Sequence, residues 1–576
     1  MIEDRIIAEY NDFATVFHVV QDNLLCYTEK KMIGGNAMSR KMKIMAAAMS
    51  AALAAGSLTG CGGNNGKEAS SGETLRYWAI MDGASTQSLS SYSEMLMYQE
   101  LEKATGVKVE FVHPVAGSTG AEAFNTLLAS NELPDMIEYN WNAYAGGADA
   151  AISDGIIIRL NDYLEKYAPN YYSYVAGEKN EEHNNLYKAE TMTDEGNYYG
   201  FRSLNIGNAR GFCGLIVRAD LLKKWELPVP ETIDDWEVFF AKAKSEGYSK
   251  PFTCYNNPFS VKSDTNTFNT AYDVGKTSYI ENGKVVHGLL QPGYKEYVAK
   301  LAEWVKKGYI DRNFVTNVNT DGEGNMTQDN ISVACFGWIG SLMGKLLPAM
   351  AERNPEYDLV ACPYPVMNKG DICEWQEVQP EARFPEIAIT SACEDIESAM
   401  KWCDYFYSDE GNLLHTFGVE GDTYTVEEID GETHYIYTDK ILKPETIGAA
   451  SVNESLYRFF RPANSPGLQQ HPDYLNGYYP YQCQKDALVT WNQNLEEARK
   501  HALPTLTYTT EESAEAATLN QQYSAQTETA INEIIAGNKS IDEFDSIAKD
   551  AEKNFIGRIL EIQNDAYQRY LKKLNN

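Results

Sequence analysis

Positive charge and histidine are scarce in this 576-residue chain: 49 lysines and arginines face 82 aspartates and glutamates, with 8 histidines, for a formal net charge of −33. So acidic a surface repels phosphate backbones and anionic headgroups, which puts nucleic-acid binding and polybasic docking to a membrane at the bottom of the list of roles. His18, His113, His183, His287, His415, His434, His471 and His501 form no HExxH motif or close pair, so no zinc site is indicated. A GxxxxGK[ST] loop, a GxGxxG turn after a strand and a GxSxG elbow are all missing, which removes the common nucleotide and hydrolase signatures. Residues 317–322 (NVNTDG) loosely echo a calcium-binding EF-hand loop, but its twelfth position is Gln328 instead of a bidentate glutamate. Neither a metal nor a cofactor is expected. The 10 cysteines include no CxxC pair, and Cys335 and Cys403 sit in apolar runs where a free thiol behaves as a small hydrophobe; a disulfide between some pair stays open.

What the chain does have is the balance of a soluble globular protein, 43% hydrophobic and 23% charged. Its length corresponds to about three or four folding units. Tyrosine, at 38 residues, outnumbers phenylalanine at 20. An apolar face with a polar tip suits polyhydroxylated ligands, although closing the edges of cores accounts for most of these rings.

The first sixty residues read as an export signal. Arg40, Lys41 and Lys43 precede a short alanine-rich apolar run, 44–58, and small residues follow. The run is shorter than the roughly 20 residues of a spanning helix and has the charge order of a secretory signal. Leu58-Thr59-Gly60-Cys61 resembles the lipobox of bacterial lipoproteins, which implies cleavage before Cys61 and its lipidation. Residues 1–37 carry acids where a signal peptide wants none, so translation is expected to begin at Met38. The expected organisation is an upstream extension at 1–37, a signal peptide at 38–60, and a lipidated cysteine with a Gly/Ser/Asn tether at 61–73.

Beyond the tether, strand-like runs at 75–80, 107–112 and 135–139 alternate with helical stretches at 95–105 and 121–130, the pattern of a doubly wound α/β fold. In such sheets ligands bind beyond the carboxyl ends of the strands. That rule points to Asp82 and Gly83 and to Tyr139, Asn140, Trp141 and Asn142. The same alternation resumes with strands at 212–217, 331–336 and 386–390 and helices at 219–225, 234–247, 294–308 and 396–407. The last hundred residues are mostly helical. Two α/β lobes fit better than one large sheet.

Five segments carry a more specific resemblance: 101–111 (LEKATGVKVEF), 129–137 (ASNELPDMI), 154–164 (DGIIIRLNDYL), 217–236 (VRADLLKKWELPVPETIDDW) and 417–424 (FGVEGDTY). In that order they resemble family 1 extracellular solute-binding lipoproteins of sugar ABC transporters in Gram-positive bacteria. The resemblance implies a two-lobe periplasmic-binding-protein-like fold of type II, with hinge-connected doubly wound lobes. It assigns 74–205 and 383–445 to lobe 1, and 206–382 and 446–576 to lobe 2. Crossings are expected near 198–202 with 213–217, and near 384–390. Trp225-Glu226-Leu227 departs from the family, where a lysine-leucine-glycine-like turn is usual.

A sugar offers an apolar face to aromatic rings and a rim of hydroxyls to Asp, Glu, Asn and Arg. Trp338, after a buried run and a glycine, looks like the family's stacking tryptophan, the alternative being a core residue; Trp141 has the same standing, with Tyr139 and Asn140 beside it. Asp82 matches a hydroxyl-binding acid of relatives. Trp375 and Phe384 flank a polar loop suited to the cleft rim. Tyr457 and Arg458 open an aromatic-basic cluster (457–461) that supplies either a platform with an acid-binding arginine or a structural anchor. Arg218, Asp220 and Glu420 read as structural. The function implied is a monomeric, lipid-anchored, non-catalytic capture protein on the outer face of the plasma membrane, delivering an oligosaccharide to ABC permease subunits. A surface glycoside hydrolase and a sugar-sensing partner of a membrane kinase are the alternatives.

Overall fold

A computed structural model describes residues 74–576 except 116, 131, 208–210, 255–256, 264, 464 and 576. The upstream extension, signal peptide, Cys61 and tether expected at 1–73 lie outside the described residues. Fourteen strands are described: β1 (Leu75–Trp78), β2 (Val109–Val112), β3 (Met136–Tyr139), β4 (Phe201–Asn205), β5 (Cys213–Arg218), β6 (Phe252–Thr253), β7 (Ser278–Glu281), β8 (Lys284–His287), β9 (Ala334–Trp338), β10 (Leu359–Ala361), β11 (Ala382–Ile389), β12 (Tyr424–Ile429), β13 (Glu432–Tyr437) and β14 (Gly467–Gln469). They make two principal sheets, one of six strands in the order β14-β4-β11-β3-β1-β2 and one of four in the order β10-β5-β9-β6. The hairpins β7-β8 and β12-β13 stand apart from both.

In the six-stranded sheet β1 runs parallel to β2 and β3, and β11 enters antiparallel between β3 and β4. Successive side chains of a strand point to opposite faces. Tyr77, Met136 and Ile387 therefore join one apolar cluster, while their neighbours Trp78, Ile137 and Ala388 join another on the opposite face. The four-stranded sheet divides in the same way: Leu215, Val217 and Phe336 face one cluster, Ile216 and Cys335 the other. Both sheets are thus covered on both faces, as the doubly wound reading requires.

The helices carry their own end signals. Helix Leu96–Thr105 stops at Gly106, whose φ of 71° satisfies the left-handed turn a helix end favours. Helix Ile233–Ser245 starts with a capping box between Thr232 and Asp235. After helix Ala219–Trp225, in the turn where the sequence departs from the family, Glu226 adopts φ 55° in the same left-handed region. Arg218 pairs with Asp220 at 2.5 Å and covers the Tyr357 ring, a packing role as expected.

The chain passes between the two sheets three times. It leaves the first from β4 to β5, returns from β10 to β11, and leaves again after β14. After this third passage, helix Gln482–Thr490 and Trp491 pack on the second sheet; the Trp491 ring lies so close to Gly214 that a Cβ there would meet it at 2.4 Å. The third passage departs from the expected assignment of 446–576 to lobe 2. β14 is an edge strand of the first sheet, and Arg461 is buried against Asp82 and Glu138 of that lobe. Residues 317–328 do not form a twelve-residue ion-binding loop either, because 319–327 are helical. The eight cysteines of the described region are all free thiols.

Candidate functional site

Where the passages converge, a cavity of about 250 Å³ opens between the ends of the two sheets. The second sheet and its flanking turns contribute Phe212, Trp338, Gly340 and Ser341; the first lobe contributes Arg383, Asn453, Tyr457, Gln469, Tyr474, Tyr478 and Tyr479. Trp338 ends β9 opposite Cys213 and is followed by a single π-helical turn, Ile339–Met343. That turn is fixed from two sides: the Ile339 amide donates to the Phe212 carbonyl at 3.0 Å, and the Gln484 side-chain amide donates to the Ile339 carbonyl at 2.8 Å. The Trp338 indole is left 40% exposed, a rarity for so large an apolar group in this chain.

The opposite wall is tyrosine-rich. Tyr474 and Tyr478, four residues apart on helix Pro472–Tyr478, stack with centroids 5.3 Å apart. The Tyr478 hydroxyl donates to Asn453 Oδ1 at 2.8 Å. Gly340 makes this approach possible, since a Cβ there would lie 2.2 Å from the Tyr478 hydroxyl. Burial pushes the Tyr457, Tyr474 and Tyr479 hydroxyls well above the usual phenol range, so all three stay neutral donors. Two acceptors on the wall, Gln379 Oε1 and Gln469 Oε1, are buried without a hydrogen-bond partner. Aromatic surface next to unspent polar atoms is the chemistry a ring of C–H groups and hydroxyls needs.

The structure gathers only part of the expected site here. Trp338 and Tyr457 line the cavity. Trp375 lines a neighbouring one of about 330 Å³, but it is 6% exposed, packed by Tyr279 and His501, and its indole N–H is spent on Asp273 at 2.8 Å. Trp141 corrects the expectation of a second platform: it is 0% exposed and belongs to the core between the first sheet and its outer helices. Tyr139 stacks on Phe124 at 4.0 Å, and Asn140 caps the turn Trp141–Ala143 by accepting from the Asn142 amide. Asp82 is committed to Arg461 at 2.7 Å and to the Tyr92 hydroxyl at 2.9 Å, so its carboxylate is part of an internal network instead of an open hydroxyl acceptor. Arg458 donates to the Ile447 carbonyl at 2.7 Å, and Phe384 lies against the Arg202 guanidinium at 3.9 Å. The aromatic-basic cluster at 457–461 is therefore chiefly an anchor, with Arg461 bound to both oxygens of Glu138 at 2.7 and 2.8 Å.

Tyr474, Tyr478, Tyr479 and Gln469 line the cavity without having been expected there, whereas Arg383 closes the polar loop 374–383 that was expected at the cleft rim. The run YLNGYYPY at 474–481 was the available signal for the tyrosines. Nothing local marks Gln469, because its strand is only three residues long.

The family model for the bacterial extracellular solute-binding proteins matches residues 83–413, more than half of the chain. The chain belongs to this family. Several solved structures are similar to this solute-binding protein throughout. One is the alginate-binding protein AlgQ2 without calcium ion, at 20% identity and TM-score 0.67, covering 86% of this chain and 98% of that one. Another is an HMO-binding, ABC-transporter-associated solute-binding protein from Bifidobacterium longum infantis, at 18% identity and TM-score 0.67, covering 87% and 99%. A third is the S. pneumoniae ABC-transporter substrate-binding protein FusA in complex with kestose, at 21% identity and TM-score 0.64, covering 87% and 100%. At such identities the likeness shows a shared two-lobe fold. No curated protein matches the sequence significantly. Among the described residues no helix is long and apolar enough to cross a membrane.

Proposed function

We propose that this solute-binding protein captures an oligosaccharide in the cavity between its lobes and delivers it to the permease of an ABC transporter. The observation that carries the reading is the exposed Trp338 ring, held at the chain passages and facing a tyrosine wall with unpaired amide oxygens. The names of the similar structures, which describe alginate-, HMO- and kestose-bound or -binding proteins, support a carbohydrate as the solute. Capture without cleavage is the chemistry that fits this cavity: no aspartate or glutamate is among its described lining residues, whereas glycoside hydrolysis requires two carboxylates across the bond. The protein acts as a monomer outside the cell, tethered through a lipidated Cys61.

A thermal-shift screen across plant-cell-wall and host-glycan fragments tests the reading. The expected result is a ligand-dependent rise in Tm for one glycan class with no release of new reducing ends. Release of reducing ends would transfer the protein to the hydrolases. For the anchor, Cys61→Ala is expected to move the protein from the membrane fraction to the medium or leave it uncleaved, because stable retention needs the added acyl chains. Wild-type protein recovered without lipid from the cytosol would overturn that part.

A further inference from the structure

Arg383 stands out among the residues lining the cavity. Tyrosines aside, it is the one ionisable side chain on the described wall, and it is a cation in a chain of net charge −33. It sits on β11 just where that strand's register against β4 shifts, between Arg383 and Glu386. The residues between are Phe384 and Pro385, and proline has no N–H to continue the ladder. A break of this kind re-aims the side chain beside it. The guanidinium makes no ion pair or hydrogen bond with any described residue, although five N–H donors are available to it.

The contrast with the other enclosed arginines is sharp. Arg461 is held by Glu138 and Asp82, Arg218 by Asp220, and Arg202 by the Glu190 and Ala382 carbonyls. The carboxylate whose field reaches Arg383, Glu377, accepts at Oε2 from the Cys213 thiol and the Phe212 amide. Burial pulls the Arg383 pKa below the ordinary arginine value, and the opposing field of the Glu377 carboxylate, which makes no ion pair with it, does not make up for the lost water.

We infer that the cavity is built for an acidic oligosaccharide, whose carboxylate is received by Arg383 while its rings lie on Trp338 and the tyrosines. This rests on the oligosaccharide reading above and narrows it to uronate-type ligands. A neutral sugar would remove the remaining water from the guanidinium and return no charge, whereas a carboxylate offers two oxygens in the plane of its fork. The local cation is also what an anion needs here, because the field of the surrounding acids opposes its approach within about one Debye length, ~8 Å at physiological salt.

Calorimetric titration of the full chain with short oligouronates, and with the same oligosaccharides after carboxyl reduction to their neutral counterparts, tests the inference. Acidic forms are expected to bind at least tenfold more tightly, with a preference that shrinks as salt is raised. Arg383→Gln should abolish the preference without moving the Tm of the unliganded protein, and Arg383→Lys should keep part of it. Tight binding of neutral glycans with no gain from the carboxylate would overturn the inference and leave oligosaccharide capture standing. An acid preference that survives Arg383→Gln would overturn the role of Arg383. Binding of neither the acidic nor the neutral series, nor of any glycan in the thermal-shift screen, would overturn both readings.

Discussion

Two tryptophans that follow strands of the same α/β grammar have opposite environments. Trp338 leaves its strand onto a turn bonded to Phe212 and Gln484, which holds the ring over open space. Trp141 leaves β3 into a cap made by Asn140 and packs edge-on to Phe124 at 5.3 Å, while its backbone N–H donates to Glu386. Trp338→Ala is therefore expected to weaken ligand binding by about 1–3 kcal/mol with little change in unliganded Tm, since little packing is lost. Trp141→Ala should leave a cavity and lower stability by about 3–5 kcal/mol. Paired calorimetry and urea unfolding of both variants checks this; a large stability loss at Trp338 would place that ring in the core. Position after a strand was legible in the sequence for both residues, but which wall each ring meets depends on packing outside its own strand: Phe124 of a neighbouring helix for Trp141, and Gln484, which holds the turn after Trp338 from more than a hundred positions away. The same limit hid Asp82: its loop position reads as a ligand contact, while its partner Arg461 lies 379 residues further along.

At the scale of elements, the strands and helices that have strong local signals were readable, down to Gly106 closing its helix and the whole of helix Ala219–Trp225. The short strands β6, β10 and β14 were not, because two or three residues carry no periodicity and gain their state only from neighbours. The seam between β4 and β11 has a consequence that can be measured. Burial pushes Glu190 up to about 8 and Glu386 up to about 7, from 4.5; an amide from Ala382 opposes this at Glu190, and Arg202 and the Trp141 amide oppose it at Glu386. Both side chains keep their protons when folded at a pH where the unfolded chain has lost them. Their contribution is full below pH 4.5 and is lost as pH rises towards 7 and 8. His415 and His287 act in the other sense: buried and neutral, with values lowered to about 3 and about 4, they cost stability as pH falls below 6.5. Between 4.5 and 6.5 the two pairs oppose each other, and above 6.5 the glutamates act alone. Stability should fall by about 2 kcal/mol from pH 6.5 to 8, and the double variant Glu190→Gln, Glu386→Gln should flatten that slope. Urea unfolding at three pH values decides it; an unchanged slope in the variant would mean the carboxyls are ionised in the fold.

For the whole molecule, three passages between the sheets set the geometry of any closing motion, and a fourth link limits it. The last helix, Gly557–Asn575, spans from the β7-β8 hairpin to the first lobe: Asn564 exchanges two hydrogen bonds with Val285, while Lys573 reaches the Met192 carbonyl and Asp194, and Asn185 donates to the Leu574 carbonyl. A rotation that closed the cavity while tearing this helix from either side would sacrifice these part-buried polar contacts, so the axis has to run near the helix and the passages together. The passages themselves are suited to the task, since hinges need only a few residues at element ends. A ligand moves such an equilibrium only through differential affinity, and shifting it from 1:99 to 99:1 takes about 5.5 kcal/mol in favour of the closed form. Contacts made from both sides of the cavity, by Trp338 on one and by Arg383, Tyr457 and Tyr474 on the other, are of the kind that complete only on closure. Solution scattering of a chain beginning at Gly62 is accordingly expected to show a smaller radius of gyration with saturating ligand than without. Asp194→Asn, which weakens the grip of Arg569 and Lys573, should enlarge that difference. An unchanged radius with ligand bound would make the cavity a static binding surface, and the terminal helix the brace that keeps it so.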